Sequence, residues 1–210
     1  MTPDLPGHGA NGDRALTLIE TADAIAQSLP APVDLGGYSL GARVALHLAL
    51  RHPEKVRSLT LLGVSLGIES PEGRAARRQR DEDLARRLEV QGLAEFLVHW
   101  LAQPLFSGPA LDPAERDRRL ENSAAGLASS LRLSGTGTQE WLAPQLAMLT
   151  MPTLALAGVR DLRFLVHAQR IADLAPHARF ALVPGANHPA HLHQPVLTAG
   201  LVQRFLSARN

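Results

Sequence analysis

A serine flanked by two glycines is the part of this sequence best suited to chemistry. The stretch 37–41 reads Gly-Tyr-Ser-Leu-Gly, after an apolar-leaning run at 32–36 and before a helix-like run at 42–50. A strand, a G-x-S-x-G turn and a helix in that order hold a serine hydroxyl above the edge of a sheet. Glycines two residues to either side keep side chains out of the crowded turn. The pattern predicts that Ser39 is a reactive hydroxyl.

A serine hydroxyl needs a base beside it, and that base needs a carboxylate to orient it. Asp161 follows a predicted strand at 152–158, and His188 follows another at 178–184. The carboxyl ends of parallel strands lie at one edge of a sheet, so we expect Asp161 and His188 to meet Ser39 there. The three residues occur in the order Ser, Asp, His, which this arrangement requires.

Two other interpretations of these residues are open. Asp161 directly precedes a predicted helix at 162–174, where aspartate often caps the helix N-terminus. His188, His191 and His193 lie close together and could bind a metal ion. The stretch lacks an obvious carboxylate or fourth ligand nearby, so the sequence predicts no metal site there.

Strand-like and helix-like stretches alternate at both ends of the chain. The predicted strands cover 32–36, 56–64, 152–158 and 178–184, and helical periodicity marks 14–29, 42–50, 162–174 and 196–207. Alternation of this kind predicts an α/β fold with a mostly parallel sheet and helices on both faces.

The middle of the chain has a different character. It is rich in arginine and helical in period, with predicted helices at Glu72–Leu88, Leu93–Ala102, Pro113–Leu120 and Ala124–Leu131. We predict that it is a helical cap inserted at the edge of the sheet where such folds bind ligands. The predicted domains are residues 1–65 and 144–210 for the core and 66–143 for the cap.

Composition narrows the classes of function. The 210 residues carry a net charge of +1, with 45% hydrophobic and 20% charged residues. Such a balance is typical of a globular domain and argues against a nucleic-acid or anionic-membrane surface. The absence of cysteine excludes disulfides and thiol catalysis. No apolar run could span a bilayer and no signal-peptide pattern is present. We therefore expect a cytoplasmic protein. We also expect it to be a monomer or a homodimer, an expectation that does not follow from these features.

Several stretches together resemble one enzyme family. They are residues 4–9, 37–43, 74–81, 96–100, 103–106, 119–123 and 130–137. The chain is similar over nearly its whole length to the menaquinone-pathway branch of the α/β-hydrolase fold, the 2-succinyl-6-hydroxy-2,4-cyclohexadiene-1-carboxylate synthases. The serine motif alone would indicate only the superfamily, whereas the motifs in the cap carry the narrower resemblance.

The resemblance implies an elimination rather than a hydrolysis. Such enzymes remove a proton from 2-succinyl-5-enolpyruvyl-6-hydroxy-3-cyclohexene-1-carboxylate and expel pyruvate, without a metal or organic cofactor. It implies that His188, oriented by Asp161, activates Ser39 as the base. The implied partner is a small polycarboxylate, because this substrate has three carboxylates.

Six residues are candidates for contacting that substrate, and one of them, Leu40, would do so through its main-chain N–H. The resemblance and the charge of the substrate point to Arg43, Arg77 and Arg119 as carboxylate clamps, with Tyr38 and Trp100 as walls or hydrogen-bond donors.

Each cap residue also has a plainer interpretation. Arg77 could lie on a solvated helix face, and Arg118 is a rival to Arg119. Arg132 could brace the cap, and Trp100 could belong to the core beneath it.

The chain also departs from the family pattern. Only three residues precede the turn at 4–9, where the family has its first strands and a His-Gly-Phe loop. We expect an N-terminal truncation, favour a misassigned start codon, and count the N–H of Leu40 as the remaining oxyanion donor. Val159 replaces a usual Glu, Asn187 a usual Gly, and His193 a usual acid.

Two alternative functions remain open from the sequence. A carboxylesterase or a carbon–carbon bond hydrolase would use the same three catalytic residues without needing convergent arginines. A truncated, non-catalytic remnant of a hydrolase would need none of them.

Overall fold

Four strands form one parallel sheet. The computed structural model describes residues 1–109 and 112–208. The strands are β1 (Val33–Tyr38), β2 (Val56–Leu62), β3 (Thr153–Gly158) and β4 (Ala178–Val183), and they lie side by side in that order. All three neighbouring pairs are parallel. The predicted α/β class and parallel sheet are confirmed.

The helices follow the predicted order. The α-helices are α1 (Leu18–Ser28), α2 (Leu40–Arg51), α3 (Pro71–Gln91), α4 (Leu93–Leu101), α5 (Pro113–Leu120), α6 (Ala124–Ser134), α7 (Leu162–Leu174), α8 (Ala190–His193) and α9 (Pro195–Ser207). Short 3₁₀ helices occupy Gly9–Asn11, Pro53–Lys55, Pro104–Phe106 and Ala143–Met148.

Local hydrogen bonds explain where two helices begin. The predicted helix at 14–29 starts only at Leu18, because Thr17 and Glu20 form a capping box: the Glu20 carboxylate accepts from the Thr17 N–H, and the Glu20 N–H donates to Thr17 Oγ1. Helix α3 begins after Ser70, whose hydroxyl accepts from the N–H of Gly73.

The chain divides into two compact units. The sheet unit comprises Ala22–Leu66 and Leu142–Asn210, and the helical unit comprises Met1–Thr21 and Gly67–Trp141. Within the sheet unit, the N–H of Leu142 donates to the carbonyl of Leu66 at 2.8 Å. The chain therefore leaves and re-enters the sheet unit at one place, close to the predicted boundaries at 66 and 143.

The core of the sheet unit lies around its central strands. Every residue of β3 is buried, as expected for a strand covered on both faces. One buried cluster joins the sheet to α8 and α9, and consists of Leu62, Leu154, Leu156, Val183, Ala186, Ala190 and Phe205. Helix α2 packs against β1 and β2, and helix α7 packs against β3 and β4.

The helical unit is built on α3, α4 and α6. Ala85, Leu88, Phe96 and Ala128 form its buried cluster. Among its described residues there is no strand, as the helical periodicity of this stretch predicts. No helix in the described part of the chain is long and apolar enough to cross a membrane.

The first 21 residues belong to the helical unit rather than to the sheet unit. A Cβ atom on Gly7 would lie 2.3 Å from the carbonyl oxygen of Gly126, so the turn at 4–9 packs its backbone directly on α6. The N–H of Gly9 also donates to Asn122 Oδ1. The predicted core segment 1–65 is therefore divided between the two units. That the predicted ranges act as functional domains stays a prediction.

Candidate active site

Ser39 occupies a strained turn between β1 and α2. Its φ is 50° and its ψ is −108°, and among the described residues no other non-glycine residue has positive φ. Its N–H donates to the carbonyl of Leu62 at the end of β2. The surrounding sheet therefore holds the serine in a conformation that is costly by itself.

The two glycines of the motif have different roles. A Cβ atom on Gly37 would lie 2.3 Å from the carbonyl oxygen of Gly41, so position 37 admits only glycine. The same atom on Gly41 would meet no other atom of the described chain within 4 Å beyond its own helix and neighbours. The prediction of crowding is right for Gly37 and wrong for Gly41, because Gly41 already lies in α2 and a Cβ atom there would enter open space.

Ser39, His188 and Asp161 form one line of hydrogen bonds in the sheet unit. Nδ1 of His188 lies 2.8 Å from Oδ2 of Asp161, and its Nε2 lies 3.0 Å from Oγ of Ser39. An ionised carboxylate only accepts, so Nδ1 carries the proton and Nε2 offers its lone pair to the serine hydroxyl. This arrangement can draw a proton from Ser39 and hold it on the imidazole.

Asp161 serves the histidine rather than the helix. It is the N-cap residue of α7, and its main-chain carbonyl accepts from the N–H groups of Phe164 and Leu165. Its side chain makes no capping hydrogen bond. The carboxylate is buried and accepts a hydrogen bond from His188 instead of from the first turn of α7. The capping interpretation of its side chain is therefore wrong.

The imidazole of His188 is enclosed on several sides. A Cβ atom on Gly63 would lie 2.8 Å from its Cε1. The rings of Phe164 and Tyr38 lie 4.3 Å and 5.1 Å from the imidazole, centroid to centroid. Sequence reasoning missed Gly63 and Phe164 as parts of the site. The glycine that ends β2 was a usable signal, whereas nothing in the sequence marks Phe164.

The three clustered histidines have separate surroundings. His188 contacts Asp161 and Ser39, the ring of His191 lies 4.4 Å from that of Tyr38, and Nδ1 of His193 accepts from the N–H of Asn187 at 3.2 Å. Burial and the positive charge of Arg160 lower the pKa of His193.

Three of the predicted substrate residues lie in the sheet unit near Ser39 in sequence. Tyr38 ends β1. Leu40 begins α2, so its N–H is one of the donors that a helix leaves unpaired at its first turn. Arg43 is buried in the same turn, and its N–H donates to the carbonyl of Ser39. Their roles toward a substrate stay predictions.

The other three lie in the helical unit. Nε of Arg77 donates to Oδ1 of the buried Asp81 at 2.8 Å, which leaves the N–H donors of both Nη atoms outside that bond. Nη2 of Arg119 donates to Glu115. Trp100 stacks on Phe96 at 5.7 Å, beside the buried cluster of the unit.

Arg132 braces the helical unit. It lies on α6, and its guanidinium binds the carboxylates of Glu82 and Glu89 on α3. This is the bracing role that the sequence left open for it. The roles of Arg77, Arg119 and Trp100 toward a substrate stay predictions.

Comparison with known proteins places this geometry in a family. The model of one family, described as the alpha/beta hydrolase family, matches residues 1–201. The chain belongs to the alpha/beta hydrolase family. This alpha/beta hydrolase is 34% identical to 2-succinyl-6-hydroxy-2,4-cyclohexadiene-1-carboxylate synthase of Yersinia pseudotuberculosis, over 97% of the chain and 76% of that relative. It is 33% identical to the synthase of the same name from Photorhabdus laumondii, over 99% of the chain and 76% of the relative.

Solved structures agree with that placement. The alpha/beta hydrolase superimposes on MenH from S. aureus with a TM-score of 0.91 and 30% identity, covering 99% of this chain and 83% of that one. A thermophilic esterase from Thermogutta terrifontis gives a TM-score of 0.77 at 23% identity, covering 98% of this chain and 78% of the esterase. The second likeness concerns the fold alone.

Proposed function

We propose that this protein is a 2-succinyl-6-hydroxy-2,4-cyclohexadiene-1-carboxylate synthase, a lyase on an alpha/beta hydrolase scaffold. The observation that carries the proposal is the identity of 34% to such a synthase over 97% of the chain. The line of hydrogen bonds from Asp161 through His188 to Ser39 supports it, because the proposed reaction begins with removal of a proton.

The names of substrate and product define the chemistry. The substrate ring has one double bond, between C3 and C4, and carries enolpyruvyl at C5, whereas the product ring has double bonds at C2–C3 and C4–C5. The hydrogen at C2 is therefore lost and the C5–O bond breaks. The C2–H electron pair forms the C2–C3 double bond, the C3–C4 π pair shifts to C4–C5, and the C5–O pair leaves with the enolpyruvate oxygen. The released enolpyruvate takes up a proton and becomes pyruvate.

The proposed base is the hydroxyl of Ser39. As its oxygen takes the C2 proton, its own proton passes to Nε2 of His188, and Asp161 stabilises the imidazolium that results. The proton then returns from His188 to the departing enolpyruvate or to solvent. C2 is adjacent to the succinyl carbonyl, so negative charge develops on that oxygen, and the N–H of Leu40 is the proposed donor to it.

Arginine is the proposed ligand for the substrate carboxylates. We assign Arg43, Arg77 and Arg119 to this role, with Tyr38 and Trp100 as shaping side chains. Guanidinium forks bind carboxylates with two parallel hydrogen bonds. The hydrogen bond of Arg77 to Asp81 supports its assignment. Only Nε takes part in that bond, so the N–H groups on both Nη atoms lie outside it. We further propose that the enzyme acts in the cytoplasm as a monomer or homodimer.

Release of pyruvate tests the proposal. The purified chain is given the enolpyruvyl substrate, and pyruvate is followed by coupled reduction with lactate dehydrogenase. We expect catalytic release that Ser39→Ala and His188→Ala each reduce by at least about a thousandfold. A folded protein that releases no pyruvate would refute the assignment.

Ester hydrolysis is the rival that the same geometry favours, since a serine 3.0 Å from an imidazole nitrogen is also arranged for acyl transfer. Hydrolysis of p-nitrophenyl acetate, measured on the same preparation, separates the two. Turnover of the ester that exceeds pyruvate release at matched concentrations would favour the hydrolase.

A further inference from the structure

Several hydrogen bonds hold the loop that carries His188, and one of them comes from the ring of His193. On its N-terminal side the carbonyl of Ala186 accepts from the N–H of Arg160 at 3.0 Å. The N–H of His188 itself donates to the side-chain oxygen of Asn187 at 3.0 Å. The N–H of Asn187 donates to Nδ1 of His193, which lies in α8. The imidazole of His193 is therefore hydrogen-bonded to Asn187, the residue that precedes His188.

The contact between His193 and Asn187 defines the protonation state of His193. A main-chain N–H can only donate, so Nδ1 of His193 must present its lone pair and any proton on the neutral ring sits on Nε2. The main chain of His193 binds the same loop, because its N–H donates to the carbonyl of Pro189 at 3.0 Å. His193 thus contacts the loop immediately before and immediately after His188.

We propose that His193 is a positioning residue for the reaction: its neutral Nδ1 fixes Asn187 and so holds the imidazole of His188 in line with Asp161 and Ser39. The role in turnover rests on the proposed function. The control of the orientation of His188 rests only on the hydrogen bonds within the sheet unit.

The surroundings of His193 keep its ring neutral near pH 7. Burial lowers the pKa of His193, and the charge of Arg160, in the turn between β3 and α7, lowers it further. The other titratable groups packed around this loop are His191 on α8, His188, Asp161, whose carboxylate binds His188, and Tyr38, whose ring lies 4.4 Å from that of His191. In acid, a proton on Nδ1 would place two donors face to face and would break the hydrogen bond to Asn187.

A pair of variants separates the hydrogen bond from the packing. His193→Asn keeps an acceptor at the position of Nδ1 but cannot titrate, and His193→Leu has nearly the same size without any acceptor. His177→Leu, an exposed histidine between α7 and β4, is the control for loss of a histidine. Pyruvate release, thermal unfolding and the low-field proton resonance of Nδ1 of His188 are measured for each.

We expect His193→Leu to lower kcat about fivefold to tenfold, the effect of one lost hydrogen bond, with KM changed less than about twofold. The Nδ1 proton resonance of His188 should broaden or shift in this variant. His193→Asn should restore both kcat and the resonance, and His177→Leu should resemble the unmodified protein.

The pH profile gives a readout that simple packing would not move. In the unmodified protein kcat should fall more steeply in acid than in His193→Asn, because a proton on His193 also breaks its hydrogen bond to Asn187. In His193→Asn the limb should keep the slope of a single protonation.

The proposal is overturned if folded His193→Leu keeps the unmodified kcat and His188 resonance, or if His193→Asn restores neither. Should the unmodified protein release no pyruvate, the proposed function fails, while the His188 resonance in the two variants still decides whether His193 positions the ring.

Discussion

The imidazole of His188 lies directly against the backbone of Gly63. A Cβ atom at position 63 would come within 2.8 Å of Cε1 and 3.0 Å of Nδ1 of the ring, and Gly63 has a φ of 58°. Its N–H continues the sheet by donating to the carbonyl of Leu156 at 2.9 Å. The residue after β2 is thus the surface against which the imidazole of His188 lies, and only glycine leaves room for it.

Gly63→Ala should therefore disable the enzyme while leaving most of the fold intact. The methyl group would push the imidazole away from Ser39, and a displacement of about 1 Å can cost on the order of a hundredfold in kcat. The measurement is kcat for pyruvate release, together with urea unfolding to quantify the strain of alanine at positive φ.

Gly36→Ala is the matched control for that change. Its Cβ atom would find its nearest neighbour in Thr60 at 3.8 Å, an ordinary contact. We expect little effect on kcat. If folded Gly63→Ala turned over as fast as Gly36→Ala, the ring would not be confined by Gly63.

Asp161→Asn should impair catalysis without unfolding the protein. An amide can donate to Nδ1 of His188, which would move the ring proton to Nε2 and remove the lone pair that Ser39 needs. In a triad such a change lowers kcat by about ten-thousandfold. The measurement is kcat at pH 7, with the exposed Asp173→Asn as control. Equal activities of the two variants would show that the carboxylate does not orient His188.

Arg77→Lys tests the proposed carboxylate clamp without stranding a buried charge. Lysine keeps a positive charge beside the buried Asp81 but loses the planar fork that binds a carboxylate with two bonds. We expect KM to rise about tenfold, with kcat changed less than about threefold. Arg80→Lys, an exposed change on the same helix, should leave both constants unaltered. A KM for Arg77→Lys equal to that control would remove Arg77 from substrate binding.

The stability of the sheet unit should fall in mild acid because of His167. Burial, together with the charges of Arg163 and Arg170, lowers the pKa of His167 from 6.5 to about 4. Between those values the unfolded chain binds a proton that the folded chain does not. His167 therefore contributes its full stability above pH 6.5, and that contribution is lost as the pH falls toward 4.

His167→Gln should remove this dependence. Between pH 7 and pH 5 the unfolding free energy of the variant should fall by about 1–2 kcal/mol less than that of the unmodified protein. Urea titrations at the two pH values measure it, and the exposed His177→Gln should behave like the unmodified protein. Parallel pH dependences in all three proteins would contradict the assignment to His167.

Much of the site is predictable from local sequence. Strand, turn and helix at Ser39 follow from hydrophobic patterning and from the glycine at 37, which the crowded turn requires. Asp161 and His188 follow because the carboxyl ends of parallel strands share one edge. These inferences depend on short stretches of chain and one rule of topology.

Other features depend on pairs of residues that are distant in sequence. No local pattern predicts that the turn at 4–9 packs on α6. The two backbones come together there only because Gly7 and Gly126 lack side chains. Nor does a local pattern predict Phe164 against His188 or His193 beneath Asn187. Contacts of this kind depend on how the chain is arranged in space, which propensities do not encode.

The sequence by itself determined the fold class, the parallel sheet and the three residues of the proposed triad, because periodicity and turn chemistry act over a few neighbouring residues. Only the tertiary structure decided which of two glycines the serine turn needs, whether the Asp161 carboxylate binds His188 or caps α7, and which residues confine His188. Those outcomes depend on atoms brought within hydrogen-bonding or contact distance by packing, where a few tenths of an ångström determine whether a side chain fits.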